Sequence, residues 1–356
     1  GAYTTHEHYR SIYTMNAETL LVKVITDEGI VGWGETQAGI IPHIVAKMVD
    51  ELVAPGLIGE DPSDCAVLRD RLYDRLRDRG HDGGHYIDAI SACDIALYDI
   101  LGQAQQKPVH KILGGAYRSE IPCYVSGVPA ADYQEQADHI RKWQEQDFNR
   151  FKISLGFGVK QDIAHMEGLR KELGSEPTFL IDAHWVYGLN DSIKLGRAFE
   201  ALDIGFLECP MDMEIVGQYR KLCAALDLPI ALGEELRTRF RFKDRIDANA
   251  LDIAQPDIGR LGITEGMRVT TLCNAAGIPS APHIGSGLAI YTAAALQVAA
   301  ATENLFLLEY QPTQIEVSDE YFTPSIRPRA GSFHLNDLPG LGVEPIMEKI
   351  EPYRYS

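Results

Sequence analysis

The chain has 356 residues, 45% of them apolar and 24% charged, with a formal net charge of -18. That much apolar material can bury one large domain plus a smaller one and excludes a disordered polar chain. The excess of carboxylates excludes a nucleic-acid binder, which needs Lys and Arg to displace counterions from phosphates, and it repels anionic substrates unless a metal ion or a placed cation reverses the potential locally.

In chain order, residues 1–16 (GAYTTHEHYRSIYTMN) mix polar and aromatic groups without periodicity and read as a loop. TLLVKVITDEGIVGWGET, 19–36, predicts two strands around a turn at Asp27-Glu28-Gly29. Helical patterns follow over 43–54 and 65–77, and the strongest spans 87–105, where Ile87, Ile90, Cys93, Leu97, Ile100 and Leu101 recur at helical spacing. Sheet first and helices after describe an α+β domain over 1–115, closing at Leu113-Gly114-Gly115. Six cysteines, scattered without a CxxC pair, read as buried thiols of a reducing compartment. The sequence has no apolar run of about 20 residues and no leader pattern, so no membrane partner and a cytoplasmic location are expected. It opens on Gly1 without Met, and further chain is expected upstream.

From residue 116 a different rhythm begins. IPCYVSG (121–127) and RFKISLG (150–156) are strand candidates, and six apolar runs follow: TFLID, IGFLE, PIALGE, LDIAQPD, IPSAPH and LFLLE. These close on Asp182, Glu208, Glu234, Asp257, His283 and Glu309, at steps of 26, 26, 23, 26 and 26 residues. Two plus six strands, separated by amphipathic helical stretches, predict a closed (β/α)-barrel over 116–330 whose strand ends carry the reactive groups. A tail over 331–356 lacks repeat character and is expected to pack on the first domain.

Asp182, Glu208 and Glu234 end three successive strands. Three anions brought together require raised pKa values or a hard divalent cation, and oxygen-only ligation favours Mg²⁺ or Mn²⁺. Acidic strand ends also serve as helix N-caps, a reading that three equal steps weaken. Asp257 and His283 end the next two strands, as a carboxylate orienting an imidazole for proton transfer. His184, two residues after Asp182, faces the same interior if the strand continues, as metal ligand, proton donor or packing residue; proton donor is preferred, since Mg²⁺ is poorly served by imidazole. Lys152 shares a strand face with Ser154; the Lys can neutralise a bound carboxylate, whereas the Ser is too weak a base for a carbon-bound proton. Glu309 either hydrogen-bonds a substrate oxygen or closes the polar ring.

With these residues in order, and with SACDIALYDILGQAQQKPVHKILGG ahead of them, the chain resembles an enolase-superfamily member of the mandelate racemase type over nearly its whole length. The resemblance implies a barrel with an α+β capping domain, Mg²⁺ held by Asp182, Glu208 and Glu234, and an enediolate formed when the α-proton of a carboxylic acid leaves. It also implies that the capping domain closes over the barrel mouth, which makes His6, His8 and Tyr9 in the leading loop and Trp33 to Thr36 in the next candidates for specificity, and that the chain assembles symmetrically as a homo-oligomer. Two departures narrow it. Where family racemases carry Lys-x-Lys, this chain has Lys152-Ile153-Ser154, and where most members have Asp-x-Asn it has Asp182-Ala183-His184, similar to galactonate and mannonate dehydratases. The implied activity is a sugar-acid dehydratase acting on an aldonate or aldarate, with His283 as base and His184 as acid. An epimerase or cycloisomerase using the same two histidines is the nearest alternative, and a non-catalytic sugar-acid binder comes from a different class. A role for Arg260, just after the sixth strand, is left open.

Overall fold

The computed structural model describes residues 3–9, 11–37 and 39–354. The leading segment is a small hairpin rather than a loop: β1 (Tyr3–Thr5) pairs antiparallel with β2 (Ile12–Thr14), and His6 N donates to Ser11 O at 2.7 Å across the turn. With three residues a side, the pairing leaves no hydrophobic alternation to read. The expected hairpin follows as β3 (Leu20–Ile25) and β4 (Val31–Thr36). Trp33 to Thr36 thus belong to a strand, not a loop.

Helix α1 (Pro42–Met48) runs on through a π-helical turn, and α2 (Cys65–Asp74) and α3 (Gly84–Ala104) follow. Strand β4 lies directly on α3, because a Cβ at Gly34 would sit 1.8 Å from the Ala92 carbonyl oxygen. Glycine is the residue that permits so close an approach. The other face of β4 turns toward the barrel: the buried Glu35 carboxylate accepts Leu288 N and Tyr291 N.

After the short α4 (Val109–Ile112), the barrel is built from β5 (Glu120–Ser126), β6 (Arg150–Ser154), β7 (Thr178–Asp182), β8 (Ile204–Glu208), β9 (Ile230–Leu232) and β10 (Ile253–Ala254), all parallel neighbours. The seventh stave is carried by bridges of Ser280 to Ala254 and Leu305 and of His283 to Asp257. The eighth, β11 (Leu308–Tyr310), pairs with β5 and closes the ring. Helices α5 (Tyr133–Gln144), α6 (Val159–Leu173), α7 (Leu189–Ala201), α8 (Val216–Cys223), α9 (Arg239–Asp247), α10 (Ile258–Ala275), α11 (Ala289–Ala301) and α12 (Pro312–Tyr321) follow the eight staves in turn. Local chemistry sets their ends: the Asp132 side chain accepts Gln134 N and Glu135 N at the start of α5, and Gly174 and Gly277 stop α6 and α10.

Inside the ring the side chains stack in two layers. Tyr124, Leu180, Phe206, Ala231, Ile253, Ala281 and Leu307 form a buried apolar cluster. Two residues further along their strands stand Ser126, Asp182, Glu208, Gln255, His283 and Glu309, because side chains alternate along a strand. The apolar layer is the floor of the site and the polar layer is its surface.

The tail divides its contacts. Strand β12 (Phe322–Thr323) pairs with β14 (Glu344–Pro345), and β13 (Ser332–His334) adds antiparallel to β5, so the segment past 331 first extends the barrel. It then reaches the end of α3, where Leu341 N donates to Asp99 and Gly340 O accepts Val109 N. No helix among the described residues is long and apolar enough to cross a membrane. All six cysteines are free, five of them buried.

The capping helix α3 is tied to α10 by buried polar groups. Asp94 accepts Thr264 N at 2.9 Å and Thr264 Oγ1 at 2.6 Å, and burial pushes its carboxyl up to about 6. An unfolded Asp titrates near ~3.9, so the folded state binds the Asp94 proton more tightly. Its contribution to stability is then complete below pH ~4 and is lost as pH rises through about 6, an effect of at most about 3 kcal/mol. Asp94→Asn should therefore flatten part of the fall in Tm between pH 4 and 7; a pH profile parallel to wild type would refute the assignment.

Candidate active site

The polar layer gathers most of the predicted residues at one mouth. Lys152 Nζ, buried, lies 3.0 and 3.1 Å from the two Glu208 oxygens and 2.9 Å from Glu309 Oε1. Burial opposes its charge, yet Glu208 and Glu309 hold its pKa well above the ordinary lysine value. Glu208 is fully buried and also accepts Gln255 Nε2 at 2.7 Å. Burial, with Asp182, Glu309 and Glu234 nearby, pushes Glu208 up to about 8 against the pull of Lys152. Glu309 faces the same lysine but behaves oppositely. Burial would raise it, but Lys152, His283 and the Ser126 hydroxyl hold it below its usual range, and it also accepts Ile284 N at 3.0 Å and Gln311 Nε2 at 3.1 Å. Glu309 thus stands behind Lys152 as an acceptor of three hydrogen bonds.

His283 links the two halves of the ring. Its Nδ1 lies 2.7 Å from Asp257 Oδ2 and its Nε2 lies 3.0 Å from Glu234 Oε2. Burial disfavours the imidazolium, but the charges of Glu234 and Glu309 raise the His283 pKa well above its ordinary value. Glu234 correspondingly falls well below the carboxylate range, since His283, Arg260 and Lys152 outweigh its burial. Glu234 lies outside the two-residue phase of β9; Gly233, at φ 133°, turns the chain and brings it to the mouth. Asp257 serves twice, because its Oδ1 caps α10 by accepting Arg260 N at 3.1 Å while Oδ2 holds His283. Arg260 Nε lies 3.7 Å from Asp257 Oδ2 and its guanidinium donates to the Glu234 carbonyl, so it braces this corner.

His184 also reaches the mouth, though not by strand alternation. Strand β7 ends at Asp182, and His184 and Trp185 are both left-handed, at φ 47° and 61°. This turn folds His184 back, so that its N–H donates to Asp182 Oδ1 at 3.0 Å and its Nδ1 lies 4.0 Å from Asp182 Oδ2. The leading hairpin covers it: Tyr13 Oη lies 3.0 Å from His184 Nε2, and the Tyr9 ring centre lies 4.4 Å from its own. His8 stacks on Phe157, and His6 packs on Tyr9 and Tyr13 one layer further out. Ser154 is exposed and in register with Asp182. Trp33 stands apart. It is buried in the main core cluster on the same face of β4 as Glu35, its backbone N–H donates to Asp99, and Lys23 lies over its ring.

Gln255, Ser126, Gln311 and Tyr13 complete the site without having been singled out in the sequence. Gln255 and Ser126 carried a usable signal, lying two residues before Asp257 and two after the inward Tyr124. Asp182, Glu208 and Glu234 fit a hard divalent cation by donor chemistry and by position on three adjacent staves. Lys152 lies against Glu208 and His283 against Glu234, and no three such groups stand in ligating geometry among the described residues.

This pairing of barrel and cap recurs in known proteins. Residues 3–114 match the mandelate racemase / muconate lactonizing enzyme N-terminal domain, and residues 133–349 match the enolase C-terminal domain-like family. The chain belongs to the enolase superfamily, in its mandelate racemase-like group. It is 29% identical over 330 residues to arabinonate dehydratase of Saccharolobus solfataricus, covering 91% of this chain and 87% of that one. It is 30% identical over 349 residues to D-galactarolactone cycloisomerase of Agrobacterium fabrum, covering 94% and 91%. The crystal structure of an enolase-superfamily member from Agrobacterium tumefaciens matches with a TM-score of 0.94 at 34% identity, over 98% of this chain and 90% of that chain.

Proposed function

We propose that the protein is a sugar-acid dehydratase, a hydro-lyase that removes the α-proton of an aldonate or aldarate and expels the β-hydroxyl as water. The enol so formed tautomerises to a 2-keto-3-deoxy acid. The observation that carries this reading is the unequal pair of imidazoles: His283 is charge-paired through Asp257 and Glu234, His184 stands beside Asp182, and Ser154 occupies the place where a second lysine would serve as a base.

In this reading His283 takes the α-proton and Asp257 holds its ring in the productive orientation. Against the burial of His283, Glu234 at 3.0 Å from Nε2 is the first of the charges that raise its pKa, and in this reading substrate approaches the same nitrogen. His184 gives a proton to the departing hydroxyl. Lys152 supplies fixed positive charge where negative charge develops, and burial keeps it strong. Asp182, Glu208 and Glu234 would hold Mg²⁺ or Mn²⁺, whose charge when bound attracts the substrate carboxylate into an acidic mouth and offsets the charge of deprotonation.

The cycloisomerase relative favours a second reading in which the same two histidines catalyse isomerisation without net water loss. Proton NMR in D₂O separates the two. A dehydratase yields 2-keto-3-deoxy product, whereas exchange into recovered substrate without that product sinks the reading. His184→Asn should cut water loss by roughly 10²- to 10⁴-fold while α-proton exchange stays measurable; equal loss of both would contradict its role as the acid.

A further inference from the structure

Asp257 and His283 are each followed by a turn that docks on the capping domain. After Asp257, the Gly259 carbonyl accepts the Thr36 hydroxyl at 2.6 Å and the Ser91 hydroxyl at 2.7 Å. After His283 the turn runs into α11, whose N-cap residue is Leu288, with no side-chain cap and no acidic residue in the first turn. The donors left open there are met from the other domain: Glu35 Oε1 accepts Leu288 N at 2.7 Å and Oε2 accepts Tyr291 N at 2.9 Å. These two N–H groups, at the cap and at the third helical position, are the pair that a capping box satisfies from within its own helix. Here one fully buried carboxylate, 253 residues from Leu288 in sequence, takes both.

Tyr291 carries that fixed point on to His283. It is fully buried, and its hydroxyl accepts Gly285 N at 2.7 Å and donates to the His283 carbonyl at 3.2 Å. The ring fills the space between the two turns: a Cβ at Gly287 or at Gly259 would overlap it, so glycine on either side admits it. We propose that Glu35 and Tyr291 are positioning residues for His283, the cap carboxylate fixing the start of α11 and the Tyr291 hydroxyl fixing the His283 backbone beside the turn after Asp257. The proton-transfer half of the site is in this way built by both domains. The consequence for catalysis rests on the reading of His283 as the base; the placement of its ring is tested without that reading.

The test reads the protein itself. Full-length chain labelled with ¹⁵N-histidine gives ring nitrogen resonances for His283, assigned by their loss in His283→Asn and recorded at one pH for wild type, Tyr291→Phe, Glu35→Gln and Arg241→Gln. Tyr291→Phe keeps the ring and removes only the hydroxyl, and Glu35→Gln sets a donor against one of the two N–H groups. Arg241→Gln breaks a cap-to-barrel ion pair, Arg241 Nη2 to Asp82 Oδ2 at 3.0 Å, that leads to neither turn. The His283 resonances should move in the first two variants and stay in the third. Exchange of the α-proton of D-galactonate or D-xylonate in D₂O with Mg²⁺ should fall by about 10- to 100-fold in Tyr291→Phe, in kcat and kcat/KM alike. Resonances unmoved in Tyr291→Phe, or moved as far in Arg241→Gln, overturn the proposal whichever acid the protein uses; if Glu35→Gln does not fold, Tyr291→Phe decides alone. Exchange that persists in His283→Asn removes the base reading and leaves the positioning to the resonances. Exchange lost there but unchanged in Tyr291→Phe removes the positioning and leaves the base.

Discussion

His283→Asn should lower product formation by about 10⁴-fold and abolish exchange of the α-proton, while substrate binding changes far less. A proton on carbon next to a carboxylate is very weakly acidic, so its removal depends on a positioned base, and general base catalysis contributes up to about 10⁴-fold. In this barrel the carboxylates that touch its ring, Asp257 and Glu234, are both engaged with it. Asparagine keeps hydrogen-bonding capacity toward Asp257 but has no titrating nitrogen. The fold should survive the change, because the Arg260 guanidinium remains within 3.7 Å of Asp257 and still donates to the Glu234 carbonyl. Unchanged circular dichroism with lost exchange is therefore the expected pair of results. Retention of more than a tenth of the wild-type rate would mean that another group removes the proton.

The staves were legible in the sequence because a parallel barrel buries each strand on both sides and leaves a polar residue only where the strand opens to the mouth. The same alternation sets Leu180 beneath Asp182 and Phe206 beneath Glu208, which is why the polar strand ends of the sequence fall in one layer of the barrel. Two kinds of feature escaped. Pairing too short to show a period hid the leading hairpin, and with it Tyr13, whose contact with His184 crosses 171 residues of sequence. Departures from strand phase also went unread, although their residues did not: Gly233 turns Glu234 into the mouth, and the left-handed pair His184-Trp185 folds back what strand alternation was expected to place. Trp33 lies on a strand that packs against helices, so a large aromatic there also satisfies packing.

Lys152→Met should be the most destabilising single change in the ring. The lysine is 4% exposed and lies within about 3 Å of two carboxylates that are fully buried. Removing one partner of a buried ion pair leaves an uncompensated charge and costs about 3–5 kcal/mol. For a protein of this size that should lower Tm by roughly 4–7 °C. Methionine nearly matches the length of the aliphatic stem, so the loss reports charge more than volume. Activity should fall with it, since the same cation offsets charge that develops during proton removal. The two effects separate in a double variant. Glu309→Gln removes one of the two stranded carboxylates, and Lys152→Met combined with it should be less destabilising than the sum of the single changes by about 1–3 kcal/mol, the range found for residues in one charge network. Activity should not recover in that double variant, because no cation has been restored. Strict additivity of the stability changes would show that Lys152 and Glu309 do not share a charge balance, and that the 2.9 Å contact is incidental.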